Sequence, residues 1–178
     1  MITLFDLSGK NDLRFSPYCW RVKYLLNFRK ITYQTKPTCF TERLNNAFFG
    51  DAKLPTITDD CIKISNSFNI AEYIENKYVD IDQRIINSEN KSSLYFINHW
   101  SDHFLNPSIL ERVAYDIISV LDDRDIEYFI ESRSKRFGMS PKDFQACNMK
   151  KSENSFYKCC NFLDKILEYQ RYLLGENI

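Results

Sequence analysis

Histidine is scarce in this chain: its 178 residues include two, His99 and His103. They stand four apart, but no glutamate follows the first, so the helical zinc-protease pattern fails. They read as solvated or helix-packing residues. No Cys/His cluster has zinc spacing either, and no metal is expected. Net charge is also missing. The 24 Lys plus Arg residues balance 24 Asp plus Glu, which argues against a nucleic-acid partner held by phosphate attraction. No apolar run approaches the roughly 18 residues of a membrane span. The start, Met1-Ile2-Thr3-Leu4-Phe5-Asp6, meets an acid early and has no basic prelude, unlike a signal peptide. The expectation is a cytoplasmic protein with no nucleic-acid and no membrane partner. Internal repeats and low-complexity tracts are absent as well.

What is present is core material. Hydrophobic residues make up 44% of the chain and aromatics 15%, enough to bury a packed interior. Six cysteines occur, Cys19, Cys39, Cys61, Cys147, Cys159 and Cys160. In a chain this long, with no mark of secretion, they read as free thiols in a reducing compartment.

The first third alternates strand and helix patterns. A strand over 2–7 leads through a turn-rich loop into a helix over 17–29, with Tyr18, Val22, Leu25 and Leu26 at helical spacing. Then follow a strand over 31–35, a short helix over 42–49, paired strands over 54–57 and 61–65, and a helix over 67–77. The order βαβαββα predicts a small mixed α/β sheet with helices on both faces. Residues 81–91 are polar and aperiodic, and read as a linker between a domain at 1–80 and an all-α domain at 92–178. In that second domain Pro107 should kink or split a helix near Asn106. Further helices are expected over 126–137, closed by Gly138, and over 154–174.

The segment Phe15-Ser16-Pro17-Tyr18-Cys19-Trp20-Arg21 carries the chemistry. Ser16 is placed to cap the helix that Pro17 opens. By itself that is a cap and nothing more. Coming directly after the first strand of a βαβαββα pattern, it is also where thioredoxin-like proteins place a reactive sulfur, at a helix N-terminus whose free N–H groups favour a thiolate. Here a hydroxyl occupies the first position and the Cys19 thiol the last. A hydroxyl cannot exchange disulfides, but it can donate a hydrogen bond to a thiolate that a ligand brings. Such a bond is worth about 1.5–3 kcal/mol and the helix end about 0.3–1 kcal/mol, enough to lower a bound thiol's pKa by about two units.

With these residues the chain resembles the glutathione transferase superfamily. Leu54-Pro55-Thr56-Ile57 is similar to that family's cis-proline turn. The resemblance implies that the backbone of Leu54 pairs with the cysteinyl part of glutathione. Ile64-Ser65-Asn66-Ser67 is similar to the family's acidic-Ser pair, which implies that Ser67 and the helix N-terminus hold the γ-glutamyl carboxylate. Asn66 stands where the family has Asp or Glu, which weakens recognition of the ligand's amino group. A narrower resemblance, to the etherase-like branch of bacterial β-etherases and fungal relatives, rests on Phe15 to Val22, on Trp100 with Pro107, and on the block from Tyr128 to Gly138.

The resemblance implies an α/β thioredoxin-like domain and a glutathione-transferase all-α domain, with glutathione as cofactor. It also implies a small hydrophobic electrophile or an aryl ether as second substrate, Tyr18 and Trp100 as candidate walls, and a homodimer. Two departures stand out. Phe28-Arg29-Lys30-Ile31 lacks the glycine that closes the family's first helix. Tyr172-Leu173-Leu174-Gly175-Glu176 resembles a segment after which family members continue for several helices, so the all-α domain is expected to be incomplete. The stripe Phe156, Cys159, Cys160, Leu163, Ile166 and Leu167, and the face around Leu25 and Leu26, should then be under-covered. Beside the Ser16-dependent transferase stand two other readings: thiol transfer through Cys19, and a non-catalytic binding module.

Overall fold

The computed structural model describes residues 1–175. Among them, β1 (Ile2–Leu7), β2 (Tyr33–Thr38), β3 (Thr56–Asp59) and β4 (Ile62–Ser65) form one sheet in the order β2-β1-β3-β4. β1 and β2 run parallel, and the other pairings are antiparallel. Helices α1 (Pro17–Phe28) and α2 (Phe40–Asn45) connect strands, and α3 (Ser67–Tyr78) follows β4. This is the thioredoxin-like βαβαββα arrangement that the alternation predicts.

The packing follows from two periodicities. Side chains alternate faces along a strand, so Ile2 and Leu4 of β1 and Ile57 of β3 line one face. On a helix, residues four apart share a face, so Val22 and Leu26 of α1 and Ile70 and Ile74 of α3 meet them. These seven residues form the buried core, with Leu25 packed against it. The expected exposure of the face around Leu25 and Leu26 is therefore corrected: Leu26 is fully buried, because α3 covers it. On the other face Phe5 meets Phe48 and Phe49, with ring centroids 5.1 and 5.2 Å apart. Pro37 sits within β2, which is an edge strand, where a residue with no N–H to donate is tolerated.

The end of α1 closes without glycine. Lys30 adopts a left-handed conformation (φ 54°). The Ile31 N–H donates to Leu26 O at 2.9 Å, and the Lys30 N–H to Asn27 O at 3.0 Å. This is the paired bonding of a Schellman motif with a lysine in glycine's place. Because Lys30 and Ile31 are used in the turn, β2 begins at Tyr33, two residues later than the pattern predicts.

The first compact unit comprises Met1–Arg84 together with Val120–Phe129. Sequence reasoning put the latter stretch in the helical domain. It folds with the first unit because Asp125, fully buried, caps α2. Its carboxylate accepts from Phe40 N (2.6 Å), Thr41 N (2.8 Å) and Thr41 Oγ1 (2.7 Å). The cap explains why α2 starts at Phe40 and not at residue 42.

The second unit, Ile85–Ser119 with the chain from Ile130 onward, is helical. It holds α4 (Lys91–Trp100), α5 (Asn106–Val113), the C-terminal part of α6 (Ile126–Phe137) and α7 (Pro141–Leu167). Pro107 does not split the first helical run. Instead Ser101–Leu105 forms one wide turn of π-helical bonding, in which Asn106 N donates to Ser101 O. The wide turn makes room where a proline ring would meet the carbonyl four residues back. α7 is longer than expected. Ser140 caps it, its Oγ accepting from Asp143 N at 3.1 Å, and Pro141 takes the first position. This Ser-Pro pair repeats the signal at Ser16-Pro17, and the polar stretch after it hides the helix. The helix stops at Leu167, short of 174, where a turn bridged between Tyr172 and Gly175 follows. Glu176 lies outside the described residues.

Along the α7 stripe, Cys159 is buried, Phe156, Cys160, Leu163 and Ile166 are half-buried, and Leu167 is exposed. Phe162, Leu163 and Ile166 line an open apolar cleft of about 450 Å³ with Phe96, Ile97 and Trp100. The Trp100 and Phe162 rings lie 5.6 Å apart, tilted by 32°. No described helix is long and apolar enough to cross a membrane.

Candidate functional site

The sheet register gathers the site. Phe5 pairs with Thr56, and Thr56 pairs with Ser65. The C-terminal end of β1, the residue after Pro55 and the residue before Asn66 therefore lie side by side. From that edge run the loop leading to Ser16, the Leu54–Pro55 turn and the start of α3. The Leu54–Pro55 bond is cis.

Ser16 is mostly buried, and its Oγ accepts from Cys19 N at 3.3 Å. It caps α1 as the Ser-Pro sequence predicts. The cap uses an oxygen lone pair and leaves the hydroxyl hydrogen for another acceptor. Cys19 is fully buried. Burial pushes its thiol up to about 11; the Ser16 hydroxyl and Leu7 backbone pull it down, and Asp6 nearby pushes it further up. A thiol so placed stays protonated near neutral pH and packs as a small apolar group.

At α3 the cap is Asn66, not Ser67. Asn66 adopts φ 76°, and its Oδ1 accepts from Phe68 N (2.9 Å) and Asn69 N (3.3 Å). Ser67, one residue on, is mostly buried, and its hydroxyl has no hydrogen-bond partner among the described residues.

Sequence reasoning missed the ion cluster beneath this edge. Asp6, at the end of β1, is fully buried. Its Oδ2 meets Arg14 Nη1 at 2.9 Å and Lys23 Nζ at 2.6 Å, while Oδ1 has no partner. Arg14 also pairs with Asp12, its backbone carbonyl accepts from Trp20 Nε1 (2.8 Å), and Lys23 Nζ lies 4.0 Å from the centre of that indole. The network pins the loop that delivers Ser16. An acid at the end of a strand, followed by an Arg and a Lys, was the available signal. Gly9 lies in the same loop, and a Cβ there would sit 1.9 Å from Val120 O.

Residues 12–81 match the family described as glutathione S-transferase, N-terminal domain. Among solved structures, a glutathione S-transferase of Ceriporiopsis subvermispora in complex with glutathione is 20% identical. It aligns over 99% of this chain and 79% of its own, with a TM-score of 0.84. Glutathione transferase GSTFuA3 from Phanerochaete chrysosporium is 17% identical, over 99% and 78%, with a TM-score of 0.86. A second transferase of Ceriporiopsis subvermispora, also in complex with glutathione, is 18% identical, over 100% and 81%, with a TM-score of 0.80.

The chain has the glutathione-transferase fold. In that fold the edge described above is formed by the three segments the sequence singles out, at 16–19, 54–55 and 66–67. The helical unit is the fold's second domain.

Proposed function

We propose that the chain is a glutathione-dependent transferase in which the Ser16 hydroxyl stabilises the thiolate of bound glutathione. The observation that carries this reading is Ser16 itself: it caps α1 through an oxygen lone pair, so the cap does not use its hydroxyl hydrogen, which in this reading turns to the bound thiolate. The helix N-terminus adds its partial positive charge. The Leu54 backbone beside cis-Pro55 pairs with the cysteinyl part of the ligand, and the free Ser67 hydroxyl takes the γ-glutamyl carboxylate with the start of α3. The thiolate then attacks a carbon of a small hydrophobic electrophile or an aryl ether, as in the etherase-like branch: a C–S bond forms as the bond to the leaving group breaks, and halide or phenolate departs with the bonding pair. The chain works in the cytoplasm as a homodimer. Buried Cys19, with its raised thiol, gives no support to thiol transfer.

Ser16→Ala should lower kcat/KM with a test electrophile such as 1-chloro-2,4-dinitrobenzene at least tenfold. Glutathione affinity, read by calorimetry, should hardly change, because the bond strengthens as the thiol ionises. The lost cap costs about 1 kcal/mol, so thermal stability is followed alongside. Equal turnover by the variant would leave Ser16 a cap alone.

A second reading, a non-catalytic glutathione-binding module, is favoured by Asn66. No carboxylate stands there to meet the ligand's ammonium, and Oδ1 is occupied in capping. Saturable glutathione binding without turnover of any electrophile would select it.

A further inference from the structure

His99 and His103 stand one helical turn apart where α4 passes into the wide turn that Pro107 imposes. Both are exposed. Their ring centroids lie 5.4 Å apart, with ring planes 32° from parallel. His103 Nδ1 lies 2.8 Å from the His99 carbonyl oxygen. A carbonyl can only accept, so Nδ1 carries the hydrogen and the lone pair of neutral His103 is on Nε2. The Tyr95 ring meets His99 edge-on at 4.3 Å.

We propose that His99 and His103 form a two-ligand site for a divalent transition-metal ion of the nickel, copper or zinc type. The spacing fits. A metal–nitrogen bond of about 2.1 Å puts the ion about 3.2 Å from each ring centre, and a tetrahedral angle then separates the two centres by about 5.2 Å. The observed separation of the ring centres, 5.4 Å, matches that value. A metal-binding histidine commonly donates its other ring N–H to a backbone carbonyl, which fixes the tautomer and turns the free nitrogen outward. The bond from His103 to the His99 carbonyl is of this kind, and Tyr95 limits the swing of His99. Imidazole pairs suit these ions, whereas magnesium and calcium prefer oxygen ligands. Among the described residues no third His, Cys, Asp or Glu joins the pair. Water fills the remaining positions, and the site binds its ion without the general base a hydrolytic zinc site needs.

The test is a calorimetric titration of the full chain with Ni²⁺, after exposed thiols such as Cys61 and Cys147 have been alkylated. One ion should bind per chain. His99→Gln and His103→Gln should each weaken binding at least tenfold, the double variant should bind none, and Tyr95→Ala should leave the stoichiometry at one. The chain has two histidines, so proton NMR gives a second readout: substoichiometric Ni²⁺ should broaden both imidazoles together. No binding by the wild type, undiminished binding by the double variant, or broadening of one ring alone would overturn the proposal.

Discussion

The two units solve the burial problem differently. In the sheet unit, Leu4, Leu26, Ile57, Ile70 and Ile74 have no solvent exposure. Buried charge in it is paired as well: Arg29 clasps the carboxylate of buried Glu75 at 2.7 and 2.8 Å. The helical unit has no matching core. Among its described hydrophobic residues, Ala114 and Cys159 are buried, while Tyr95, Phe96 and Phe104 are more than half exposed. Some of its links lie at the surface: Gln145 accepts from Tyr115 N (2.7 Å) and donates to Asp116 (3.0 Å). A sheet with helices laid across it closes on itself. A few helices side by side keep apolar faces turned outward.

That contrast is sharpest in core truncations. Leu26→Ala should cost about 2–5 kcal/mol in urea unfolding, since a rigid, fully packed site collapses poorly around a cavity. Leu163→Ala, at a half-buried position on an open cleft, should cost less than half as much. Equal losses would show that the helical unit is as tightly packed as the sheet.

A smaller effect, again confined to the sheet unit, depends on pH. Burial of Asp59 raises its pKa, but donors from Lys77, Tyr78 and Tyr73 outweigh it and hold the carboxyl near 2 instead of its usual 3.8. The distances are 2.6, 2.6 and 2.7 Å. A pKa depressed on folding stabilises the protein above the unfolded value and is lost as pH falls through the folded one. Stability should therefore drop by about 2 kcal/mol between roughly pH 4 and pH 2. Asp59→Asn should flatten that stretch of the curve, and an unchanged slope would remove Asp59 from the account.

The smallest expected effect is a gain. Lys30 carries a left-handed conformation that costs an ordinary residue about 1–2 kcal/mol, partly offset by glycine's greater freedom when unfolded. Lys30→Gly should add about 0.5–1 kcal/mol and raise the melting temperature by a few degrees. No gain would mean that the Schellman closure is less strained than its φ implies.

How much of this was legible beforehand depended on how local the cause was. β1 and α1 followed from alternation and a Ser-Pro cap, and the segments at 16–19, 54–55 and 66–67 were found as short motifs. The start of α2 was hidden, because its cap comes from Asp125, 85 residues away. The start of α3 at Ser67 was legible, but its cap was not, because Asn66 and Ser67 are both good cap formers and only the backbone turn at Asn66 decides between them. The Asp6–Arg14–Lys23 cluster was hidden because a charged residue in a sequence does not announce that it is buried.

The Asp125 cap also sets an order on the chain's own synthesis. A ribosome delivers residues from first to last, so β1 through α3 emerge while the partner of the Phe40 and Thr41 amides is still unmade. Until residue 125 has cleared the exit tunnel, the N-terminus of α2 can be satisfied only by water. The nascent first domain is thus unfinished in one helix for the whole time that α4 and α5 are being translated.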